Sequence, residues 1–378
     1  MARKLLLLTA ALILLQGYNR LVAQSSDDLL NLMINKGVIT QNEADSIRAE
    51  AAIKAQSDKE KQKKFTFNTS RLLQFSGYVQ FRYQNFQAEG IPDGFDIRRA
   101  RLDIRGDILP TWEYRLQVDF AVVPKVLDAY AGFKPYSFLK IQGGQFKLPI
   151  SAENLMASHK MEFIDRAQVV EAMTSRSRDI LGSNNGRDVG VMAYGSLLKH
   201  NERFLAEYSM GIFNGQGANI TDKNEAKDFC GRLLLHPIAG LDIGGSYYNG
   251  YDYMIVKPDT GNFIRIRYAG EAAWSFKRII LRGEYISGDD GPVKKEGFNI
   301  QAIWSVIPKK LQLLARYDQF EPNKHKGQDI SVWYVSGINF YFNDYAKVGL
   351  NYSYRTEEGG KDMMVSNDLM SVQVQIGF

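Results

Sequence analysis

The sequence predicts an all-β transmembrane barrel of sixteen antiparallel strands, with a long third loop folded inward and a short helical extension in front. Three observations carry this. In residues 369–378, Met370, Val372, Val374, Ile376 and Phe378 share one parity and Ser371, Gln373, Gln375 and Gly377 the other. Period two means a strand with an apolar and a polar face. The same alternation recurs from residue 75 onward, and the segments are joined by brief and long connections in turn. An unprotected terminal strand of this kind is a liability in water. As the closing strand of a bacterial outer-membrane barrel it fits, with its apolar parity toward lipid and Gln toward a wet lumen.

The N-terminus predicts export. Arg3 and Lys4 precede an apolar run from Leu5 to Leu15, and Leu21-Val22-Ala23 offers a cleavage site. A charged start, a short apolar stretch and a small residue before the cut make a signal peptide, here residues 1–23. The run is too short for a membrane-spanning helix. Residues 24–64 read as a periplasmic helical extension and linker. Gly37 stops a first helix, and Thr40-Gln-Asn-Glu43 is a capping box for a second, with Ala44, Ile47, Ala51 and Ala55 on one face. So narrow an apolar stripe does not bury itself alone, so a coiled coil between subunits and a loose tether both fit.

Residues 65–378 are the barrel. The first strand sets Val79, Phe81 and Tyr83 against Tyr78, Gln80, Arg82 and Gln84. The second, 97–108, sets Ala100, Leu102 and Ile104 against Arg99, Arg101, Asp103 and Arg105, and the third, 112–121, sets Leu116, Val118 and Phe120 against Glu113, Arg115, Gln117 and Asp119. Four charged or amide groups on one face are intolerable in a dry core and cost little in a watery lumen. Further strands are expected at 126–134, 138–147, 187–196, 203–213, 229–236, 241–250, 263–275, 279–287, 297–306, 311–320, 330–341, 346–355 and 368–378. The even total suits a single-chain barrel. Connections after strands two, four, eight, twelve and fourteen are brief and hold Pro or Asn-Asp, while 214–227, 250–262, 321–329 and 356–367 are expected as long polar loops. That asymmetry places both termini in the periplasm. The connection 122–125 is short where a long one is expected.

Loop 148–186 has no strand signal. Helical stretches are expected at 152–160 and 165–172, among many charges that include Arg166, Arg176 and Arg178. A loop this long is a functional one, and a sixteen-strand barrel has room for it to fold inward and narrow the lumen. Basic groups at a constriction select anions.

Bulk charge adds little. The net charge of +5 falls to +2 once Arg3, Lys4 and Arg20 leave with the signal, and 24–64 is balanced. Nothing here calls for a nucleic-acid partner, so an anion preference must come from placement. With Cys230 the only cysteine, a disulfide scaffold is excluded, and no His, Asp or Glu spacing marks a metal centre. No nucleophile and base fall together, so no enzyme activity and no cofactor is expected. A general or differently selective pore, or a non-conducting structural or adhesive barrel, stands as the alternative.

Phe95-Asp-Ile-Arg-Arg-Ala-Arg-Leu102, Arg115-Leu-Gln-Val-Asp-Phe120, Ala129-Tyr-Ala-Gly-Phe-Lys134, Gly143-Gly-Gln-Phe-Lys-Leu-Pro149, Phe163-Ile-Asp-Arg166 and Phe213-Asn-Gly215 together resemble the phosphate-selective porin O/P family. The resemblance implies a homotrimeric porin of the Gram-negative outer membrane, whose pore-lining Arg and Lys replace water around phosphate-like anions. By motif position it implies roles for Arg98, Arg99, Arg101, Asp119, Lys147 and Arg166. Phe378 resembles the terminal aromatic read by the barrel-assembly machinery, which receives such chains with periplasmic chaperones. Parity adds Arg82, Arg105, Arg115, Arg265 and Arg267 to the candidate anion wall, and the loop adds Arg176 and Arg178. Arg98 falls on the lipid parity and needs a strand end or a bulge to join them. Asp103, Asp107, Glu113 and Asp119 share the wall, so cross-strand ion pairs are an equal reading of each Arg.

Overall fold

The computed structural model describes Lys36 and residues 72–256, 259–358 and 367–378. The expected export segment and, Lys36 apart, the helical extension lie outside the described residues.

Sixteen strands follow: β1 (Gln74–Phe86), β2 (Gly94–Leu109), β3 (Trp112–Asp119), β4 (Lys125–Phe133), β5 (Lys140–Lys147), β6 (Arg187–His200), β7 (Arg203–Phe213), β8 (Asp228–Ile238), β9 (Leu241–Val256), β10 (Asp259–Phe276), β11 (Ile279–Asp290), β12 (Val293–Ile307), β13 (Leu311–Glu321), β14 (Ser331–Tyr341), β15 (Ala346–Glu357) and β16 (Leu369–Gly377). Two short helices, α1 (Ala152–Leu155) and α2 (Gln168–Met173), stand between β5 and β6. Each strand pairs antiparallel with its neighbours, and β1 pairs with β16 from Tyr78↔Gly377 to Phe86↔Leu369, so the ring is closed and has no edge. At the seam the Phe378 amide donates to the Gly77 carbonyl and the Gly77 amide to the Phe378 carbonyl. A Cβ on Gly77 would stand 2.6 Å from the Phe378 ring and 2.7 Å from the Arg101 carbonyl oxygen, so only glycine fits there.

Burial is inverted relative to a water-soluble fold. Gln80, Arg101, Asp119, Gln301, Asn339 and Gln373 are buried, while Val79, Phe81, Leu116, Ile300, Ile338 and Ile376 are exposed. Exposed aromatics such as Trp112, Phe120, Trp274, Trp304 and Tyr334 lie among them on the outer face, as interfacial girdles require. The exceptions on the inner parity are informative. Ile286, Ile303 and Leu314 point inward and are buried because α2 and Phe163 pack on them.

Loop 148–186 is bonded around much of the ring. Its Ser158 carbonyl accepts from Gln80 of β1, its Ser151 hydroxyl donates to Glu284 of β11 (2.7 Å), and its Gln168 amide donates to Asp318 of β13 (3.0 Å). The Ile164 amide donates to Asn351 of β15 (2.7 Å), and Arg265 of β10 donates to Asp179 (2.7 Å).

Three expectations are corrected. Residues 250–262 form no long loop, since β9 and β10 stay paired out to Val256↔Asp259. Likewise β11 and β12 pair to Asp290↔Val293. Hydrophobic alternation fades where a wall leaves the bilayer, but the hydrogen-bond ladder continues and polar pairs such as Lys295–Asp290 (2.7 Å) hold it. The loop helices are shorter than expected. The Lys147 ammonium donates to the carbonyls of Asn154, Leu155 and Met156 and so takes the acceptors a longer first helix would use.

Candidate functional site

A cavity of about 850 Å³ lies between loop 148–186 and the inner faces of β1–β4 and β13–β16. Nine arginines (82, 98, 99, 101, 166, 176, 178, 316 and 355) and Lys125 line it, against only Asp119, Asp165 and Glu171. Local structure explains how the basic groups converge. Along β2, Arg99 and Arg101 share the inner parity. Arg98 belongs on the other, but the β1–β2 register shifts so that Gln80 faces Arg99 and Phe81 faces Ile97, which leaves Arg98 as the extra residue of a bulge. Its guanidinium turns inward and donates to the Ile164 carbonyl and to Asp165.

The carboxylates are spent on particular partners. Asp119 accepts from Arg101 at 2.8 Å, and also from the amides of Ala100 and Ala121. Asp165 is paired with Arg98 and lies 3.5 Å from Arg82, which Asp96 also holds at 2.7 Å. Burial alone would raise Asp165, but Arg98, Arg82 and Arg99 outweigh it and hold it below the usual carboxylate range.

Five of these arginines, Arg99, Arg166, Arg176, Arg178 and Arg355, have no carboxylate within salt-bridge distance among the described residues, and the first three are buried. Arg99, 8% exposed, donates to Gln80 Oε1 at 2.7 Å. Arg166, 1% exposed, donates to the carbonyls of Glu153 and Met156 at 3.0 Å, and its Nη1 has no hydrogen-bond partner. Arg176 donates to Asn154 Oδ1 at 2.8 Å. Burial, with Arg101 and Arg98 nearby, pushes Arg166 down to about 10 against the pull of Glu171 and Glu153, so it stays cationic at neutral pH. At one side of the cavity the guanidinium groups of Arg178 and Arg355 lie over the Trp333 ring, 4.8 and 4.1 Å from its centre.

A second cavity of about 430 Å³ opens at the short-turn end, lined by Arg101, Arg105, Arg115, His159 and Lys160 among others. Arg101 lines both cavities. Its Nη1 donates to the Ser158 hydroxyl of the loop at 3.2 Å. Acids gather instead on the far side of the loop. Glu153, Glu162, Glu271 and Glu284 border a small pocket of about 80 Å³, where Arg282 holds Glu162 at 2.7 Å.

Of the residues singled out from sequence, Arg82, Arg98, Arg99, Arg101, Asp119, Arg166, Arg176 and Arg178 meet at the larger cavity, and Arg105 and Arg115 at the smaller. Three do not join them. Lys147 is engaged by loop carbonyls, Arg265 by Asp179, and Arg267 by Asp290 and the Met173 carbonyl, so these hold loop to wall. Sequence reasoning missed Arg316 and Arg355, although Asp318, Ser353 and Asn351 on the same parities marked them as inward-facing.

A family model described as phosphate-selective porin O and P matches residues 73–378. The barrel resembles that of Pseudomonas putida OprB, with TM-score 0.62 and 9% identity over 82% of this chain and 95% of that one. It also resembles an anion-selective porin from Comamonas acidovorans, with TM-score 0.60 and 12% identity over 81% of this chain and 99% of that one. The trimer form of Vibrio cholerae OmpT gives TM-score 0.58 and 11% identity over 81% and 99%. Curated proteins give no match.

Proposed function

The chain belongs to the phosphate-selective porin O and P family, and from that premise we propose a passive outer-membrane pore for small anions, phosphate-like ones foremost. The observation that carries this reading is the charge left over in the larger cavity. Arg99, Arg166 and Arg176, like Arg178 and Arg355, have no carboxylate within salt-bridge distance there. A buried cation without a partner is costly, and an anion that enters relieves the cost. Loop 148–186 narrows the lumen, and the arginines replace water around the anion. The guanidinium fork suits this, since it grips two oxygens and keeps its charge. The ion then passes Arg101 toward Arg105 and Arg115, a descent through positions that bind without trapping. Anion selectivity in the Comamonas acidovorans porin is a property of that protein and is consistent with this reading.

Residues 1–23 serve export and 24–64 extend into the periplasm, and Phe378 serves recognition by the assembly machinery. A homotrimer is supported by wall height. β3, β4 and β5 have 8, 9 and 8 residues. At about 3.3 Å per residue and a tilt near 40°, such strands rise only about 20 Å against an apolar band of about 25 Å. A neighbouring barrel covers so low a wall better than lipid does. Sedimentation in density-matched detergent reads the assembly state.

Reversal potentials in a KCl gradient, followed by phosphate block of chloride current, test the function. Anion preference with saturable phosphate block is expected. Cation preference in the unaltered protein overturns the reading.

A further inference from the structure

The larger cavity has a feature that an inorganic anion does not use. Where β3 turns into β4, Val122 has φ 63°, and the Val123 amide donates to the Ala121 carbonyl at 2.8 Å. This is a tight three-residue turn with a β-branched residue in the left-handed region, a strained arrangement that Gly or Asn would relieve. Asp119 holds it, accepting from the Ala121 amide with one oxygen and from Arg101 with the other. The strained turn is therefore bonded to the guanidinium that lines both cavities. It presents bare hydrocarbon, with Val122 96% and Val123 68% exposed. Both side chains border the cavity that Arg98, Arg99 and Arg166 border, as does the edge of Trp333. Strain of this kind clusters at binding sites and ligand clamps. The volume of about 850 Å³ also falls in the range of roughly 300–1,000 Å³ typical of pockets for organic ligands.

We propose that this cavity takes organic anions that carry an apolar group beside the charged head, with Val122 and Val123 against the apolar group and the β2 and loop arginines on the head. The proposal rests on the anion-pore reading and narrows its substrate class to alkyl and aryl carboxylates and their like. Inorganic phosphate engages the arginines alone. A carboxylate with a hydrocarbon tail gains from both walls, so its binding tightens with tail length.

The test uses the purified full chain in planar bilayers. Inorganic phosphate, acetate, butanoate, hexanoate and benzoate are each titrated at neutral pH, and the concentration that halves the chloride current is read. Full burial of one methylene is worth about fourfold in binding, and half-burial about twofold. Hexanoate is therefore expected to block at about one sixteenth of the acetate concentration if each of its four extra methylenes is half-buried. In V122N/V123S, whose Asn suits a positive φ, the acetate-to-hexanoate ratio of half-blocking concentrations is expected to fall toward one. A flat series in the unaltered protein overturns the proposal, and so does a slope that survives the double replacement. Phosphate block and the reversal potential of the unaltered protein judge the anion pore separately. If phosphate blocks while the carboxylate series is flat, only the substrate class fails. If no anion blocks and cations are preferred, both fail.

Discussion

Replacing Arg99 by Gln is the most direct probe of the proposed charge placement. Arg99 makes one hydrogen bond, to Gln80 Oε1 at 2.7 Å, and has no carboxylate counterpart. Gln is long enough to keep a contact with Gln80, so the wall loses a unit charge with little change of shape. An anion about 4 Å from that charge gains about 1 kcal/mol in bulk water and about 4 kcal/mol at an effective dielectric of 20. A wet cavity walled by protein lies between these limits, near 1.4 kcal/mol or somewhat more, which is about a tenfold change. The half-blocking phosphate concentration is thus expected to rise about tenfold in R99Q at 0.1 M KCl, with the reversal potential moving toward zero. At 1 M the Debye length drops from about 10 Å to about 3 Å, so the shift in reversal potential should shrink. The comparison is R101Q/D119N, which removes a pair bonded at 2.8 Å and leaves the net charge unchanged. Its selectivity should stay near that of the unaltered protein, even if the neck widens. Equal phosphate block in R99Q and the unaltered protein at 0.1 M, or an equal loss in R101Q/D119N, refutes the view that uncompensated charge sets the selectivity.

Other predictions concern assembly, the loop and pH. Gly77→Ala places a Cβ 2.7 Å from the Arg101 carbonyl oxygen, which cannot move without breaking the β1–β2 ladder. The yield of folded, heat-modifiable barrel on cold electrophoresis should fall sharply, while a yield matching the unaltered chain refutes the seam argument. Asp318→Ala leaves the buried Gln168 amide without its acceptor, at a cost of about 1.5–3 kcal/mol. Loop 148–186 should loosen, seen as higher single-channel conductance and open-channel noise. Two loop carboxylates contribute to its acid response. Burial would raise Asp165 and Glu171, but Arg98 and Arg82 for the first, and Arg176 and Ser177 for the second, hold both below the usual range. A lowered folded-state value contributes stability that is complete above the unfolded value near 4 and lost as pH falls through the folded one. The share of channel noise owed to these two carboxylates, read as the difference from D165N/E171Q, should therefore be flat from pH 8 to about 5 and change only below about 4. A difference that already changes near pH 6 contradicts this assignment.

The barrel was legible because period two survives without tertiary information. An inward Gln and an outward Val announce themselves at every second position, and the Phe378 strand found its partner in the strand near Gly77. Strand ends at the long-loop side were less legible, because the polar residues of 288–296 pair across strands above the bilayer, where hydrophobicity carries no signal. Helix length in the loop depended on Lys147, a residue of the preceding strand whose ammonium collects the carbonyls that end α1. Least legible was which arginine is free. Arg187 finds Asp128 59 residues away, and Arg265 finds Asp179 86 residues away. No local pattern announces such pairs.

That last difficulty bears on selectivity itself. From the sequence, Asp103, Asp107, Glu113 and Asp119 share a wall with the arginines, and a mixed wall argues for weak selectivity. In the fold these acids are not loose in the lumen. Asp103 accepts from Arg115 at 2.7 Å, Asp107 and Glu113 share Lys134 at 2.6 and 3.2 Å, and Asp119 is held by Arg101. Asp103 and Asp119 are each matched to an arginine on the adjacent strand, and Lys134, just past β4, offsets one of the two charges of Asp107 and Glu113. A matched pair presents an anion with a dipole rather than a charge, whose field falls off faster. The excess of arginine over carboxylate collects instead where β2 faces loop 148–186. On the proposed reading, selectivity follows from the difference between basic groups and their partners at one level of the pore, and a net charge of +5 over the whole chain has little bearing on it. If every Arg of β2 were paired as Arg101 is, the same composition would give a barrel stiffened by ion pairs and indifferent to the sign of the solute. Arg99, Arg166 and Arg176, with Arg178 and Arg355 over Trp333, are the residues that separate those outcomes.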